Sequence, residues 1–170
     1  MNIKDVIVAY KTGSQLWTSN TKDIDYLVIV KDEAYEGPNI RQDRNDCFIL
    51  KETEFKKYLA GEHPKSYYNI VCMNKPIYGK SPYEFDWFTV RDKAIDKCLR
   101  AFFMSPDISA DGKHCHKHIT WALWLIYAIE NNSIELTAEQ KAMLLKAHDK
   151  KLDRKYQQVI RDHLLTLCAS

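Results

Sequence analysis

Three aspartates near the start of the chain have the type and spacing needed to bind divalent cations. Asp23 and Asp25 are two residues apart at the entrance to an apolar run, and Asp46 opens a second apolar run, "DCFIL". Side chains two apart on a strand project to the same face, roughly 6.5 Å apart along the chain. Mg²⁺ binds through one or two carboxylates together with substrate phosphates. The spacing therefore predicts that Asp23 and Asp25 share one or two cations and that a nucleotide completes the coordination.

Gly13 and Ser14 directly follow the first predicted strand. Glycine lets the backbone approach a phosphate closely, while N–H and hydroxyl groups donate hydrogen bonds to it, and a short helix after Ser14 would add a favourable potential. If the strand of Asp46 is a neighbour in the sheet, Asp46 would ligate a second metal or take a proton from an attacking hydroxyl. Asp43 is a rival for this role, and Asp46 is preferred because it adjoins the apolar run.

The elements that must position these residues are short strands followed by helices. Apolar runs predict strands at 6–10, 25–30 and 46–50, with a loop at 35–45. A helix over 55–59 follows, which Thr53 can cap and which ends at Gly61. Segment 67–73 is predicted as a further strand or a buried connection, and an irregular passage follows it, marked by Pro76, Gly79 and Pro82.

The second half of the chain has helical periodicity. It predicts a helix over 94–103, a helix over 119–130 that is buried on most sides, a helix after a capping box formed by Thr137 and Gln140, and a last amphipathic helix carrying Tyr156, Val159, Ile160 and Leu164. We therefore expect an α/β (α+β) fold, with an α/β core over 1–85 and a helical region over 86–170 packed on it.

Composition excludes several classes of protein. A net charge of +2 argues against a global basic field for nucleic acid. Five scattered cysteines without a CxxC pair indicate reduced thiols and a cytoplasmic protein. The longest apolar run, 119–129, is shorter than the roughly 20 residues that span a bilayer, so no membrane association is expected.

The pattern of "GS", a polar loop, "DID" and a later strand-borne Asp resembles the DNA polymerase beta-like nucleotidyltransferase superfamily. The stretches "DCFILKETEFKKYLAGEHPKSYYNIV" and "KHITWALWLIYAIENNSIELTAEQ" are similar to the predicted nucleotidyltransferases of bacteria and phages, so the resemblance covers most of the chain. It implies a nucleotidyltransferase fold with a small mixed sheet and a C-terminal helical bundle.

The resemblance also implies roles for individual residues. Gly13 and Ser14 would contact the phosphates of an NTP such as ATP, Asp23 and Asp25 would bind Mg²⁺, and Asp46 would complete the metal site and activate the acceptor. The implied reaction transfers a nucleotide to the hydroxyl of an acceptor, which the sequence leaves open as RNA, protein or small molecule, and releases pyrophosphate.

The sequence departs from the superfamily pattern at two positions of the opening stretch. Thr18 stands where members have a second glycine, and Lys22 precedes the first Asp where members have Ser or Gly. Lys22 would pair with phosphate or occupy the metal site as an internal cation, and Lys117 with His118 would replace a basic residue on a helix. The alternative function is a catalytically inactive binding, sensor or interaction protein, related to phage or defence.

Other patterns favour structural interpretations. The sequence "HCHKH", residues 114–118, has two histidines at helical spacing for zinc, yet no second cluster supplies further ligands. Six aromatic residues, Trp17, Tyr67, Tyr68, Trp87, Trp121 and Trp124, are candidates for base stacking but mostly fit a core or an interface. The basic stretch 146–163 is interpreted as a solvated helix face.

Overall fold

The computed structural model describes residues 2–34, 40–42, 45–60, 62, 71–83, 115–149 and 154–169, with only the backbone for some residues inside helices and strands. The strands are β1 (Val6–Thr12), β2 (Ile24–Val30), β3 (Ile40–Gln42), β4 (Asn45–Lys51) and β5 (Tyr78–Gly79). The described helices are α1 (Glu52–Leu59), α2 (Cys115–Asn131), α3 (Ala138–His148) and α4 (Arg154–Ala169), with short 3₁₀ turns at Ile3–Asp5 and Ser14–Leu16.

The strands form one five-stranded sheet in the order β3-β4-β2-β1-β5. β2 and β4 are parallel, while the other neighbouring pairs are antiparallel. The sheet is therefore mixed, which confirms the predicted α+β class and the predicted small mixed sheet.

Two strands occur where the sequence predicted irregular chain. Ile40–Gln42 lies within the predicted loop 35–45 and pairs with β4, and Tyr78–Gly79 lies in the predicted irregular passage and pairs with β1. Both are edge strands of two or three residues, too short to show an alternating pattern. Gly79 has φ 70°, and a Cβ there would collide with the Ile7 carbonyl, so this edge contact requires glycine.

The two faces of the sheet carry separate apolar layers. One layer contains Val8, Tyr10, Leu27, Ile29 and Leu50, and α1 covers it with Phe55 and Tyr58. The other layer contains Ala9, Val28, Val30 and Ile49. Successive residues of β1, β2 and β4 thus alternate between two buried faces, which explains why these strands appear in the sequence as almost continuous apolar runs.

The start of α1 differs from the prediction that Thr53 caps it. The helix begins at Glu52, so Thr53 lies inside its first turn, and the N-cap Lys51 makes no side-chain capping bond. Asp32, which follows β2, instead accepts hydrogen bonds from the Thr53 backbone N–H at 3.0 Å and from the Thr53 hydroxyl. A long-range cap of this kind has no local signature in the sequence, because its two partners are 21 residues apart.

The Asp32 cap predicts a pH-dependent stability. Hydrogen bonds from Thr53 lower the pKa of Asp32 below its ordinary 3.8, so the folded state favours the carboxylate. The stabilisation is present above the unfolded pKa and is lost as the pH falls through the lowered folded pKa. In urea titrations, the stability difference between wild type and Asp32→Ala should be constant above about pH 5 and shrink below it. A difference in the free energy of unfolding that grows on acidification would contradict this cap. A Thr53→Ala/Asp32→Ala double variant should lose less free energy of unfolding than the sum of the two single losses.

The helices of the second half enclose a separate core. α2 contributes seven residues with 5% exposure or less, among them Trp124, Leu125 and Ala128, as predicted for a helix buried on most sides. It ends at Asn131, and Asn132 follows with φ 47°. α3 has the predicted capping box of Thr137 and Gln140.

The last helix is confirmed only in part. α4 contains all four residues predicted for it, and Ile160 is buried, but Val159 is 57% exposed. The side chains of Tyr156 and Leu164 lie outside the described part of the structure. Other predictions also fall outside the described residues: the helix 94–103, Gly61, Tyr67, Tyr68 and Trp87. Val71 and Cys72 are helical, which excludes a strand over the C-terminal end of segment 67–73. Over the described part of the chain, no helix is long and apolar enough to cross a membrane.

Candidate functional site

The sheet register places two of the predicted carboxylates side by side. Asp25 in β2 pairs with Asp46 in β4, and both residues are half-buried. On the other side of Asp25 the register partner is Thr12, the last residue of β1. Residues in register on neighbouring strands lie on the same face about 4.8 Å apart. Asp25 and Asp46 therefore form a carboxylate pair at the starts of two parallel strands.

The same row extends to the sheet edge. Arg41 of β3 is the backbone register partner of Asp46, a position that sequence analysis had assigned to a loop. One layer deeper on this face lie Tyr10, Leu27 and Phe48, which are apolar or aromatic. The polar row thus borders the buried layer, and the core behind it fixes the strands that carry Asp25 and Asp46.

Gly13 brings the backbone against the Asp25 carboxylate. It has φ 79° and ψ −166°, a conformation that is essentially limited to glycine. A Cβ at this position would collide with the Asp25 carboxylate. The glycine is therefore required both by backbone conformation and by close approach to the candidate metal ligand.

The Gly13 turn is joined to the strand of Asp25 by Gln15. The Gln15 amide nitrogen donates to the Thr12 carbonyl at 2.8 Å and to the Asp25 carbonyl. Two acceptors fix the orientation of this amide, because only its NH₂ group can donate to both. Gln15 was not among the predicted site residues, since a glutamine in a polar loop carries no signal for a contact ten residues away.

We expect Gln15→Ala to lower the free energy of unfolding by about 1–2 kcal/mol, since two hydrogen bonds are lost. Gln15→Glu is nearly isosteric but directs a carboxylate at two carbonyl oxygens, so it should destabilise the protein at least as strongly. Chemical denaturation of both variants measures this. A Gln15→Glu variant as stable as wild type would show that the two hydrogen bonds from the Gln15 amide, here called the Gln15 clamp, do not stabilise the turn.

The turn after Gly13 is shorter than a phosphate-binding helix. Ser14–Leu16 is a three-residue 3₁₀ turn, in which the N–H groups of Trp17 and Thr18 both donate to the Ser14 carbonyl. This turn therefore does not provide the favourable electrostatic potential that the N-terminus of a longer helix would offer to a phosphate. Thr18 does not have positive φ, so the backbone of this turn does not require the glycine found in the superfamily pattern.

Trp17 anchors this turn in the helical core. Its side chain is 6% exposed and packs in the cluster formed by α2, α3 and α4, with its ring edge-on to His148 at 5.8 Å between centroids. Trp124 is equally buried and stacks on Trp121. Trp17 and Trp124 therefore belong to the core and are not available for base stacking.

Asp23 and Lys22 lie outside the strand that carries Asp25. Both are exposed on a bend that precedes β2. Lys22 makes no ion pair with any residue in the described ranges, so the structure gives no support for an internal cation at the metal site. Lys117 belongs to the first turn of α2, where only the backbone is described.

The donor set fits Mg²⁺ as a shared ion. Within the described part of the chain, no three His, Cys, Asp or Glu side chains gather into a cluster that could hold a metal alone. Mg²⁺ needs only one or two carboxylates when substrate phosphates supply the remaining oxygens, and Asp25 with Asp46 provides two. The zinc hypothesis for 114–118 involves side chains that lie outside the described residues.

Groups behind the site remain protonated at neutral pH. Burial raises the pKa of Tyr10 to about 12, although its hydroxyl donates to Ser81 Oγ at 2.7 Å. Burial raises the pKa of the Cys72 thiol to about 12 and also raises that of Cys47. Thiol nucleophiles require the thiolate, so neither of these cysteines is a candidate nucleophile.

Comparison with known proteins gives a broad structural likeness. No family model and no curated protein matches the chain. The structure is similar to a spectinomycin adenyltransferase of Enterococcus faecialis solved with ATP and spectinomycin, with TM-score 0.49 and 13% identity over 99% of this chain and 84% of that one. It is also similar to a nucleotidyltransferase-like protein of Exiguobacterium sibiricum, with TM-score 0.34 and 12% identity over 98% of this chain and 70% of that one. Likeness at this level carries no argument about function, which must come from the residues themselves.

Proposed function

We propose that this protein is a Mg²⁺-dependent nucleotidyltransferase that moves a nucleotide from an NTP to an acceptor hydroxyl. The observation that carries the proposal is the register of the parallel strands, which sets Asp46 beside Asp25 at the rim of the sheet. Gly13, held in a conformation limited to glycine, adds a backbone approach to the same carboxylate. A plain turn into a strand would need neither feature.

In this proposal Asp25 and Asp46 would hold the cation, and Asp23, exposed on the bend before β2, is the further carboxylate that the sequence assigns to it. When bound, Mg²⁺ supplies neutralisation of the phosphate charge and of the charge that develops in the transition state. Gly13 and Ser14 donate backbone and hydroxyl hydrogen bonds to the phosphates. Lys22 and Lys117 are the cations that the sequence assigns to phosphate binding.

The reaction is an in-line displacement at the α-phosphorus of the NTP. The acceptor oxygen forms a bond to the α-phosphorus, the bond from that phosphorus to the oxygen bridging to the β-phosphorus breaks, and pyrophosphate leaves with that electron pair. Asp46 takes the proton of the acceptor hydroxyl, for which its position at the start of β4 is suited, with one carboxylate oxygen buried from solvent. The acceptor is an RNA, a protein or a small molecule.

Ligand-induced stabilisation tests the proposal without knowledge of the acceptor. Wild type should gain thermal stability with at least one of the four NTPs plus Mg²⁺, because a ligand that binds only the native state stabilises it, by about 2.7 kcal/mol at a hundredfold excess over Kd. Asp25→Asn and Asp46→Asn should lose this gain, while Glu33→Gln, an exposed acid beyond the far end of β2, should keep it. No shift with any NTP would exclude nucleotide binding.

The alternative function is a catalytically inactive binding or sensor protein. Two departures from the superfamily pattern suggested it, and the structure accommodates both, since Thr18 needs no glycine conformation and Lys22 is exposed. We therefore favour catalysis. NTP binding without any pyrophosphate release across a range of acceptors would reverse this preference.

A further inference from the structure

A cavity lies next to the Gly13 turn, outside the residues assigned so far. Its volume is about 560 Å³, within the range of small-molecule sites. The cavity is lined by the turn that carries Leu16, by the segment 73–75 and by the loop 133–136 between α2 and α3. Lys141 of α3 also lines it. Sequence analysis singled out none of its charged residues.

The cavity lies near the end of β1 that leads into the Gly13 turn. The segment before β5 runs alongside β1 towards the C-terminal end of that strand. The Ile77 N–H donates to the Ala9 carbonyl at 2.8 Å, and the Asn74 amide donates to the Lys11 carbonyl at 3.5 Å. Residue 74 is thus close to the end of β1 that leads into Gly13. A ligand in the cavity is therefore adjacent to the turn that contacts Asp25.

The charges of the lining favour an anion. Lys75 and Lys141 are exposed, come from different segments, and have no ion-pair partner among the described residues. Glu135 is the one acidic residue of the lining, so its basic residues outnumber its acidic ones by two to one. Lys141 lies in the first turn of α3, whose positive end adds to the same potential.

The rest of the lining is apolar. Leu16, Met73, Ile134 and Leu136 provide a surface for the body of a ligand, while the lysines are placed for its charged group. This combination fits a molecule with an apolar or aromatic part and an anionic group, such as a nucleoside phosphate.

We infer that this cavity binds a phosphate-bearing small molecule, with Lys75 and Lys141 holding the phosphate. The choice of phosphate over another anion rests on the proposed function. Two sources are consistent with the chemistry: the polyphosphate of the NTP, or a phosphate carried by the acceptor.

Calorimetric titration without divalent cations separates this site from the carboxylates. Pyrophosphate and ribose 5-phosphate are titrated in EDTA into wild type, Lys75→Met and Lys141→Met. Methionine keeps most of the aliphatic stem, and Lys146→Met on the same helix removes an equal charge away from the cavity. Each cavity variant should weaken binding about tenfold, the loss expected for one hydrogen bond to a charged group, and Lys146→Met should not.

The pattern across ligands identifies the source. Weakened pyrophosphate binding assigns the cavity to the NTP, and weakened ribose 5-phosphate binding with unchanged pyrophosphate binding assigns it to a phosphorylated acceptor. The inference is overturned if wild type binds neither compound, or if both lysine variants bind as wild type does. If Asp25→Asn loses Mg²⁺–NTP binding while both lysine variants bind the phosphate compounds as wild type does, the proposed function stands and the cavity inference fails. If the lysine variants lose phosphate binding while Asp25→Asn keeps Mg²⁺–NTP binding, only the cavity inference stands.

Discussion

An Asp25→Asn variant is expected to fold normally and to lose nearly all nucleotidyl transfer. The substitution keeps the shape of the side chain but removes a charge that the cation needs, and losing several kcal/mol of transition-state stabilisation corresponds to about a thousandfold in rate. Folding should be retained, because Asp25 is only half-buried at the strand entrance while the core layer behind it is unchanged. The measurement is pyrophosphate release from the NTP that stabilises wild type, over a range of acceptors.

The matched control is Glu33→Gln, which removes the same charge beyond the opposite end of β2 and should leave the rate unchanged. Asp46→Asn should resemble Asp25→Asn in rate. Pyrophosphate release by Asp25→Asn at the wild-type rate would show that this carboxylate is not part of the reacting site.

Gly13→Ala is expected to cause the second large effect. A residue with a Cβ is strained at φ 79° and ψ −166°, at a cost of about 1–3 kcal/mol. The added methyl group would also displace the Asp25 carboxylate. We therefore expect a lower melting temperature together with loss of Mg²⁺–NTP binding at temperatures where the variant remains folded.

Gly79→Ala separates the two causes. Gly79 also has positive φ, and a Cβ there would collide with a backbone carbonyl, but it pairs with the N-terminal half of β1 away from the carboxylates. It should lose a comparable amount of stability while retaining Mg²⁺–NTP affinity. Equal affinity losses in the two variants would mean that Gly13 acts only through stability.

Local patterns in the sequence predicted the central part of this architecture. The apolar runs located β1, β2 and β4, because strands buried on both faces must be apolar throughout, and the capping box located α3 because its partners are three residues apart. The adjacency of Asp25 and Asp46 was conditional on the strand order, which the structure supplies through the parallel pairing of β2 and β4.

Features that depend on distant partners could not be predicted in this way. The short edge strands β3 and β5 form only because a longer neighbour is present to pair with them. The clamp by Gln15 and the cap by Asp32 join residues 10 and 21 positions apart. Lys75 and Lys141 line one cavity although they are far apart in the chain, so no spacing rule relates them.

The roles of Asp23, Lys22 and Lys117 in ligand binding stay predictions. Asp23 is exposed ahead of β2 and does not form a metal-binding cluster with described acidic side chains. Sequence spacing and the family resemblance placed it with Asp25. Residues two apart share a face only where both belong to the strand, and β2 begins at Ile24.

The binding of Mn²⁺ in place of Mg²⁺, measured by electron paramagnetic resonance, tests whether Asp25 and Asp46 together hold a divalent cation with the NTP. With a non-hydrolysable NTP analogue, wild type should bind Mn²⁺ in a ternary complex, and Asp25→Asn and Asp46→Asn should each weaken that binding at least about tenfold, as expected when a charged ligand is removed. Mn²⁺ and nucleotide binding that is the same in wild type and both variants would contradict the account.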